Sequence, residues 1–276
     1  MLNSLNHTLD LTTIRAVVLD MDGVIWRGAE ILPGVPDFFL FLRERGIPYA
    51  MATNNASKTV AEYVTRLAGL NIPIDGEHII TSAVVTADAL AAEYPSGTPI
   101  YVIGSDSLIG LLTARGNVFD PKNAQVVVVG LDVNLTYEKL KIALQRIVAG
   151  AEFIGTNADL VLPVAGEIAP GNGGVVVALQ AMSGRTPRIM GKPETAMFET
   201  ALARLGYPAE QTLMVGDRLG TDIEGANRAG LKSALVLTGI SGPGDTEADS
   251  DATSTVIPDG VYESLADLHM VWRGLD

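Results

Sequence analysis

The residues of this chain best suited to chemistry are aspartates that stand in two close pairs. Asp20 and Asp22 are two positions apart, and Asp217 is followed by Asp222. A tight carboxylate cluster is tolerated in a low-dielectric site when a cation lies among its members. The chain has no cysteine and only 3 histidines, which excludes thiolate zinc sites and argues against a histidine-rich metal site. Oxygen ligands and a hard cation such as Mg²⁺ are therefore expected.

The first pair has the chemistry of a nucleophile with a proton-transfer partner. Asp20 directly follows an apolar run and is the expected nucleophile, because a carboxylate that attacks phosphorus gives an aspartyl-phosphate and divides one difficult displacement into two. Asp22 is expected to protonate the leaving oxygen and later to deprotonate the attacking water.

A bound Mg²⁺ and the phosphoryl group would each need their own partners. Mg²⁺ takes about six oxygen ligands. Asp20, Asp217 and the backbone carbonyl of Asp22 are expected among them, together with the substrate phosphate and water. Asp222 is expected either to ligate the metal or to orient a ligand, and it could also cap the following helix. The residues expected to bind or approach the phosphoryl oxygens are Gly23, Thr53, Asn54 and Lys192.

The overall composition excludes several classes of partner. The formal net charge is -13, and no run of lysine or arginine provides a nucleic-acid surface. No uninterrupted apolar stretch reaches the roughly 18 residues of a membrane span. The N-terminal residues lack a basic start followed by an apolar block, so no secretory signal is predicted and a cytoplasmic location is expected.

Apolar runs alternate with amphipathic helical stretches along the chain, which predicts a parallel sheet covered on both faces. Ser57 is a predicted helix N-cap. The 239–254 stretch, rich in Gly, Ser, Asp and Thr, predicts a solvated loop. The predicted strands are 16–19, 49–52, 100–103, 126–129, 212–215 and 234–237, and the predicted helices are 35–45, 57–67, 137–148 and 196–205.

Sheets of this type place their chemistry at the carboxyl ends of their strands. Asp20, Thr53, Lys192 and Asp217 each follow an apolar run, although they come from both ends of the chain. The strand ends between Asn55 and Lys192 differ, because they lead to Gly104-Ser105-Asp106, Gly130-Leu131-Asp132 and Gly155-Thr156-Asn157. We therefore predict a core from residues 1–82 and 189–276, interrupted by an inserted α/β domain at 83–188.

Taken together, these motifs resemble those of the haloacid dehalogenase superfamily in its phosphatase form. The stretches that carry the resemblance are Asp20-Met21-Asp22-Gly23, Thr53-Asn54, Gly191-Lys192-Pro193, and Gly216-Asp217 with Thr221-Asp222. The position of the insertion is similar to that of the branch with an α/β cap between the second and third motifs, which holds nitrophenyl-phosphatase-like and NagD-like enzymes. The resemblance covers about residues 15–237.

The resemblance implies a Rossmann-like doubly wound parallel-sheet core with an inserted α/β cap domain. It also implies Asp20 as nucleophile, Asp22 as acid/base, Thr53 and Lys192 as phosphate binders and Asp217 as metal ligand. The cap would select a small phosphorylated metabolite, with Asp132 and Asn172 as candidate specificity residues that have equally plausible capping and turn roles. Relatives often pair through the cap, which makes a homodimer an option. Arg218 departs from the asparagine that is common in relatives.

Three other functions are open to this scaffold besides hydrolysis of phosphate monoesters. A carbon–halogen hydrolase of the same superfamily needs neither an acid at the position of Asp22 nor magnesium. A phosphoryl mutase usually carries a helical cap after the first motif, and the interval from Asp22 to Thr53 leaves no room for one. A non-enzymatic phosphoester-binding protein would be expected to lack at least one of the motif residues, and all are present.

Overall fold

The chain folds as two compact units. The computed structural model describes residues 9–164, 167–239 and 256–275. The first unit comprises residues up to Thr53, Tyr63–Ile80 and the chain from Lys192 onward, and the second comprises Asn54–Glu62 and Thr81–Gly191. The predicted insertion at 83–188 lies inside the second unit. Of the predicted 239–254 loop, only Gly239 is among the described residues.

The described strands comprise those that the apolar runs predicted, together with several short ones that they did not. They are β1 (Ala16–Leu19), β2 (Trp26–Arg27), β3 (Glu30–Ile31), β4 (Tyr49–Thr53), β5 (Ile79–Thr81), β6 (Pro99–Ile103), β7 (Val118–Phe119), β8 (Val126–Val129), β9 (Glu152–Gly155), β10 (Val161–Val164), β11 (Glu167–Pro170), β12 (Arg188–Ile189), β13 (Thr212–Gly216), β14 (Lys232–Val236) and β15 (Gly260–Tyr262).

The described helices agree closely with the predicted ones, and two of them have the predicted bounds. They are α1 (Val35–Glu44), α2 (Val60–Ala68), α3 (Ser82–Glu93), α4 (Asp106–Ala114), α5 (Tyr137–Val148), α6 (Asn172–Ser183), α7 (Ala196–Leu205), α8 (Glu224–Ala229) and α9 (Leu265–Arg273). Among the residues that the structure describes, no helix has the length and apolar content needed to span a bilayer.

The first unit is built on a six-stranded sheet with the order β15-β14-β13-β1-β4-β5. The pairs from β15 to β4 are all parallel, and the four residues of β1 are buried, as expected for a strand covered on both faces. From β1 the chain proceeds through β4 and β5 on one side and later through β13 to β15 on the other. The strand order therefore reverses between β1 and β13, which is where sheets of this type bind ligands.

The second unit has a five-stranded sheet with the order β12-β9-β8-β6-β7, and all four of its strand pairs are parallel. Its core packs apolar side chains of α5 and α6 against the central strands, among them Ile147, Leu179 and Val127. A separate antiparallel hairpin joins β10 to β11. The predicted α/β class, with parallel sheets and flanking helices, is confirmed.

The predicted N-cap of the second helix is wrong. The Ser57 hydroxyl donates to the Asn55 side chain at 2.6 Å, and the helix begins only at Val60. The Thr59 backbone N–H donates to the Glu62 carboxylate at 2.7 Å, and the Glu62 backbone N–H donates to the Thr59 hydroxyl at 3.2 Å. This reciprocal pair is a capping box, which satisfies two free donors at once and so fixes the start of α2.

Gly225 permits close contact between α8, which follows the Asp222 turn, and α7. A Cβ atom added to Gly225 would lie 2.8 Å from Phe198 Cζ and 3.0 Å from the Pro193 carbonyl oxygen. Phe198 cannot move without disturbing the core, because it is fully buried. The absence of a side chain at Gly225 is therefore a packing requirement.

We expect Gly225→Ala to lower the free energy of unfolding by about 1–3 kcal/mol through overpacking. Gly110 in α4 is the matched control, because an added Cβ there meets nothing within 4 Å. Gly110→Ala should be stabilising by roughly 0.5–1 kcal/mol, as in other exposed helix interiors. Denaturant unfolding followed by circular dichroism measures both. An unchanged unfolding midpoint for Gly225→Ala would show that α7 and α8 adjust freely.

Candidate active site

Asp20 lies at the carboxyl end of β1, at the position where the strand order reverses. Its backbone N–H donates to the Val215 carbonyl at 2.9 Å, so the parallel pairing continues to the functional residue itself. The side chain is buried. The pKa of Asp20 lies well above its ordinary value, mainly because the carboxyl is buried. The Lys192 charge lowers this pKa, whereas the Asp222 and Asp217 charges raise it.

Lys192 supplies the positive charge of the site. Its Nζ lies 2.6 Å from Asp20 Oδ1 and 2.6 Å from Asp222 Oδ1, and it donates to the Ala52 carbonyl at 3.0 Å. The side chain is only 3% exposed. Burial alone would lower the pKa of Lys192, but Asp20 and Asp222 outweigh this effect and raise it above its ordinary value. The ammonium group therefore stays charged between two carboxylates.

Three buried aspartates form a donor set for a cation. Asp20, Asp217 and Asp222 each offer a carboxylate oxygen, and these atoms lie within 4.8 Å of one another. Asp217 and Asp222 are each 1% exposed. Lys192 contacts two of these three carboxylates. An all-oxygen set of three carboxylates fits Mg²⁺, which binds carboxylates and retains several waters.

Asp222 is bound through both carboxylate oxygens. Oδ1 accepts from Lys192, and Oδ2 accepts from the Arg218 backbone N–H at 3.1 Å. No side-chain cap is present at the start of α8. These contacts indicate that Asp222 orients Lys192 and the π-helical turn Leu219–Ile223 and does not cap α8. For Arg218, the described contact involves its backbone.

Glycines leave the space that the carboxylates occupy. Gly23 has φ +86°, and a Cβ added there would lie 2.5 Å from Asp217 Oδ2. A Cβ added to Gly216 would lie 2.6 Å from Asp222 Oδ2, and one added to Gly239 would overlap Asp217. The Gly23 N–H donates to the Trp26 carbonyl at 2.8 Å. Gly23 thus makes a turn that only glycine adopts readily and keeps the backbone close to Asp217.

Asp22 differs from the other aspartates because it is exposed. The Trp26 indole N–H donates to Asp22 Oδ1 at 2.8 Å. The Trp26 ring is buried, so this polar contact comes from a side chain that also packs in the core. An exposed carboxylate with one oxygen held by a hydrogen bond is suited to proton transfer.

The two predicted phosphate binders at the end of β4, Thr53 and Asn54, belong to different units. Thr53 ends β4 in the first unit and is hydrogen-bonded to the Tyr63 hydroxyl. Asn54 belongs to the second unit. Its side-chain amide donates to the Asp159 carboxylate at 3.2 Å, and its backbone carbonyl accepts from the Asn157 side-chain amide at 2.8 Å. The structure thus brings Asp20, Lys192, Asp217 and Asp222 together in the first unit and places Asn54 in the second.

The candidate specificity residues Asp132 and Asn172 make local contacts within the second unit. Asp132 accepts from Lys139 Nζ at 2.6 Å and from the Asn134 backbone N–H at 2.8 Å. The buried Asn172 amide donates to the Val129 carbonyl at 3.0 Å and to the Asn157 carbonyl at 2.9 Å. Both side chains therefore stabilise loops of this unit, in agreement with the turn roles considered above.

Tyr63 is a residue of the site that the sequence motifs did not indicate. It is buried in α2, and its pKa is raised by burial and by nearby Asp22, while the hydrogen bond to Thr53 lowers it. Tyr63 and Leu67, one helical turn apart, are the buried residues of that helix. A tyrosine on the buried face of a helix that follows a functional strand is the signal that would have found it.

Comparisons with known proteins agree with this geometry. Residues 17–117 match a family model of haloacid dehalogenase-like hydrolases, and residues 189–268 match a second model of HAD-hydrolase-like proteins. The 5'-nucleotidase YutF of Bacillus subtilis is 35% identical over 231 residues, which are 84% of this chain and 90% of that protein. An acid sugar phosphatase of Staphylococcus aureus is 35% identical over 82% of this chain and 88% of its own.

Solved structures show the same similarity. The 4-nitrophenylphosphatase of Thermotoga maritima superposes with a TM-score of 0.87 at 33% identity, over 94% of this chain and 98% of its own. NagD of Escherichia coli superposes with a TM-score of 0.81 at 30% identity, over 92% and 98% of the two chains. The relatives named for an activity are a 5'-nucleotidase and phosphatases, and the matches cover both parts of the chain. The chain therefore belongs to the haloacid dehalogenase superfamily, as a NagD-like hydrolase of phosphoric monoesters.

Proposed function

We propose that the protein is a Mg²⁺-dependent phosphatase of small phosphate monoesters that acts through an aspartyl-phosphate on Asp20. The observation that carries the proposal is the position of the Asp20 carboxylate, which is buried at a strand end, 2.6 Å from the Lys192 ammonium and grouped with Asp217 and Asp222. This arrangement supports a nucleophile held beside positive charge. The exposed Asp22 lies two residues away.

In the first step, an oxygen of Asp20 attacks the phosphorus atom and the bond to the ester oxygen breaks. Asp22 gives its proton to the departing oxygen, so that an alcohol leaves. Lys192 and the Thr53 hydroxyl stabilise the charge that develops on the phosphoryl oxygens. The product is an aspartyl-phosphate, which is a mixed anhydride of the Asp20 carboxylate and phosphate.

In the second step, Asp22 removes a proton from water, and the water oxygen attacks the same phosphorus atom. The bond between phosphorus and the Asp20 oxygen breaks, which releases inorganic phosphate and restores the carboxylate. Asp22 ends this step protonated and ready to donate again. One residue therefore acts as acid and then as base, as an exposed carboxylate with one free oxygen allows.

The metal would be held by Asp20, Asp217 and the Asp22 backbone carbonyl, with Asp222 as a ligand or as an orienting group. When bound, Mg²⁺ supplies the positive charge that offsets carboxylate repulsion and the charge on the phosphoryl oxygens. The raised pKa of Asp20 supports this role, because a buried carboxylate among other carboxylates needs a cation to remain ionised.

We assign substrate selection to the second unit, with a cap at 83–188. The relatives act on several small esters, since they include a 5'-nucleotidase, acid sugar phosphatases and a glycerol phosphate phosphatase of Mycobacterium tuberculosis solved with calcium. Nucleotides, sugar phosphates and glycerol phosphate therefore form the substrate panel to be ranked by kcat/KM. The carbon–halogen hydrolase and binding-protein alternatives require that none of these esters is hydrolysed.

We expect Asp20→Asn to abolish hydrolysis of p-nitrophenyl phosphate while leaving the far-UV circular dichroism spectrum unchanged, because an amide cannot replace the nucleophile. The wild-type activity should require added Mg²⁺ and should be lost in EDTA. Asp37→Asn is the matched control, since Asp37 is an exposed carboxylate in α1 that belongs to no carboxylate cluster among the described residues. Wild-type turnover by Asp20→Asn, or turnover that persists in EDTA, would contradict the proposal.

We expect Asp217→Asn to raise the melting temperature when Mg²⁺ is absent. The substitution keeps the side-chain shape but removes one of three clustered charges, which relieves repulsion worth on the order of 1 kcal/mol. In the wild-type protein, Mg²⁺ at about 100 times its Kd should increase the free energy of unfolding by about 2.7 kcal/mol. This increase should be much smaller in Asp217→Asn. Differential scanning calorimetry with and without Mg²⁺ measures both effects.

Two outcomes of the calorimetry would contradict the metal assignment. An equal Mg²⁺-induced rise in both proteins would place the ion elsewhere. A lower melting temperature of Asp217→Asn without Mg²⁺ would show that the Asp217 charge stabilises the fold rather than opposing it. Asp37→Asn again serves as the control and should respond to Mg²⁺ as the wild-type protein does.

A further inference from the structure

The indole of Trp26 makes a polar contact that the proposed reaction has not yet used. Its Nε1–H donates to Asp22 Oδ1 at 2.8 Å. The ring is 1% exposed although the carboxylate that it contacts is exposed. An indole has one donor and no acceptor, so it cannot exchange protons with Asp22 and can only hold one of its oxygens.

The tryptophan is itself firmly held. Its backbone N–H donates to the Met21 carbonyl at 3.3 Å, and its carbonyl accepts from the Gly23 N–H at 2.8 Å. The Arg66 guanidinium lies 3.7 Å from the centre of the ring, and Arg66 also donates to the Gly28 carbonyl at 2.5 Å. A buried ring with a cation over its face has little freedom to move. The indole N–H is therefore a fixed donor.

We propose that Trp26 is a positioning residue for Asp22, an inference that rests on the acid/base role given to Asp22 above. An exposed aspartate samples several rotamers, and proton transfer requires a narrow range of distance and angle. The hydrogen bond to Oδ1 selects one orientation of the carboxylate and directs Oδ2 to the departing oxygen. Removal of the indole N–H should therefore weaken proton donation while Asp20, Lys192 and Asp217 keep their places.

The leaving group distinguishes this role from a structural one. An alkyl phosphate must release a basic alkoxide, which needs a proton as the ester bond breaks, whereas p-nitrophenolate is stable enough to leave without one. The ratio kcat/KM reports the steps up to transfer of the phosphoryl group to Asp20. It therefore includes proton donation but not the later attack of water. A positioning defect should therefore lower kcat/KM selectively for the alkyl ester.

The test compares wild type with Trp26→Phe, which keeps an aromatic ring beneath Arg66 but removes the donor. We expect kcat/KM for glycerol phosphate to fall about 10-fold, a part of the 10²–10⁴-fold that acid catalysis supplies, and kcat/KM for p-nitrophenyl phosphate to change little. In an Asp22→Asn background, Trp26→Phe should have no further selective effect. Trp272→Phe is the matched control, because Trp272 packs on Phe38 and Phe41 and should leave both esters unaffected.

A spectroscopic measurement tests the same contact without altering Trp26. The chain has 2 tryptophans, so in Trp272→Phe the remaining indole N–H resonance belongs to Trp26. That resonance should lie downfield, as expected for a hydrogen bond to a carboxylate, and should move upfield in Asp22→Asn. This result does not depend on whether Trp26→Phe folds.

Each contrary outcome has a separate meaning. An equal loss for both esters in Trp26→Phe would mean that Trp26 is merely structural, and no loss would mean that its donor is dispensable. An indole N–H chemical shift that is unchanged in Asp22→Asn would also overturn the inference. If Asp22→Asn itself fails to slow hydrolysis of glycerol phosphate selectively in the wild-type background, then the proposed role of Asp22 fails, and the inference fails with it.

Discussion

The buried Lys192 ammonium between Asp20 and Asp222 is the interaction on which the rest of the site depends. Removing one partner from a buried ion pair is costly, by about 3–5 kcal/mol, because it leaves an uncompensated charge. Here one lysine serves two carboxylates at 2.6 Å each. These residues come from positions as far apart as 20 and 222, and the parallel sheet brings them to one edge. The fold is therefore required for the charge balance of the site.

The carboxylates grouped around Lys192 explain several neighbouring features. Asp217 adds a third buried carboxylate, and a tight carboxylate cluster is tolerated when a cation lies among its members. Glycines at 23, 216 and 239 leave the space in which Asp217 and Asp222 lie. Proteins commonly sacrifice stability at functional sites in this way. Trp26 and Tyr63, whose polar groups contact Asp22 and Thr53, supply the surrounding rigidity.

Most of the fold and the charged centre could be predicted from the sequence, because both depend on local patterns. Apolar runs predicted the central strands, and polar residues directly after them predicted Asp20, Lys192 and Asp217. The hairpin β10–β11 was not predicted, since Pro163 within it disfavours a strand. Ser57 was misassigned because the Asn55 side chain competes for its hydroxyl. Thr53 and Asn54 were grouped together, although successive side chains of extended chain face opposite ways.

The most direct test of the covalent role of Asp20 uses Asp22→Asn with p-nitrophenyl phosphate. That ester can transfer its phosphoryl group to Asp20 without an acid. Hydrolysis of the aspartyl-phosphate, however, needs Asp22 as a base, so the intermediate should accumulate. Rapid mixing should give a burst of one p-nitrophenolate per active site, and mass spectrometry after acid quench should find one phosphoryl group on Asp20. Turnover without a burst and with unmodified Asp20 would contradict covalent catalysis.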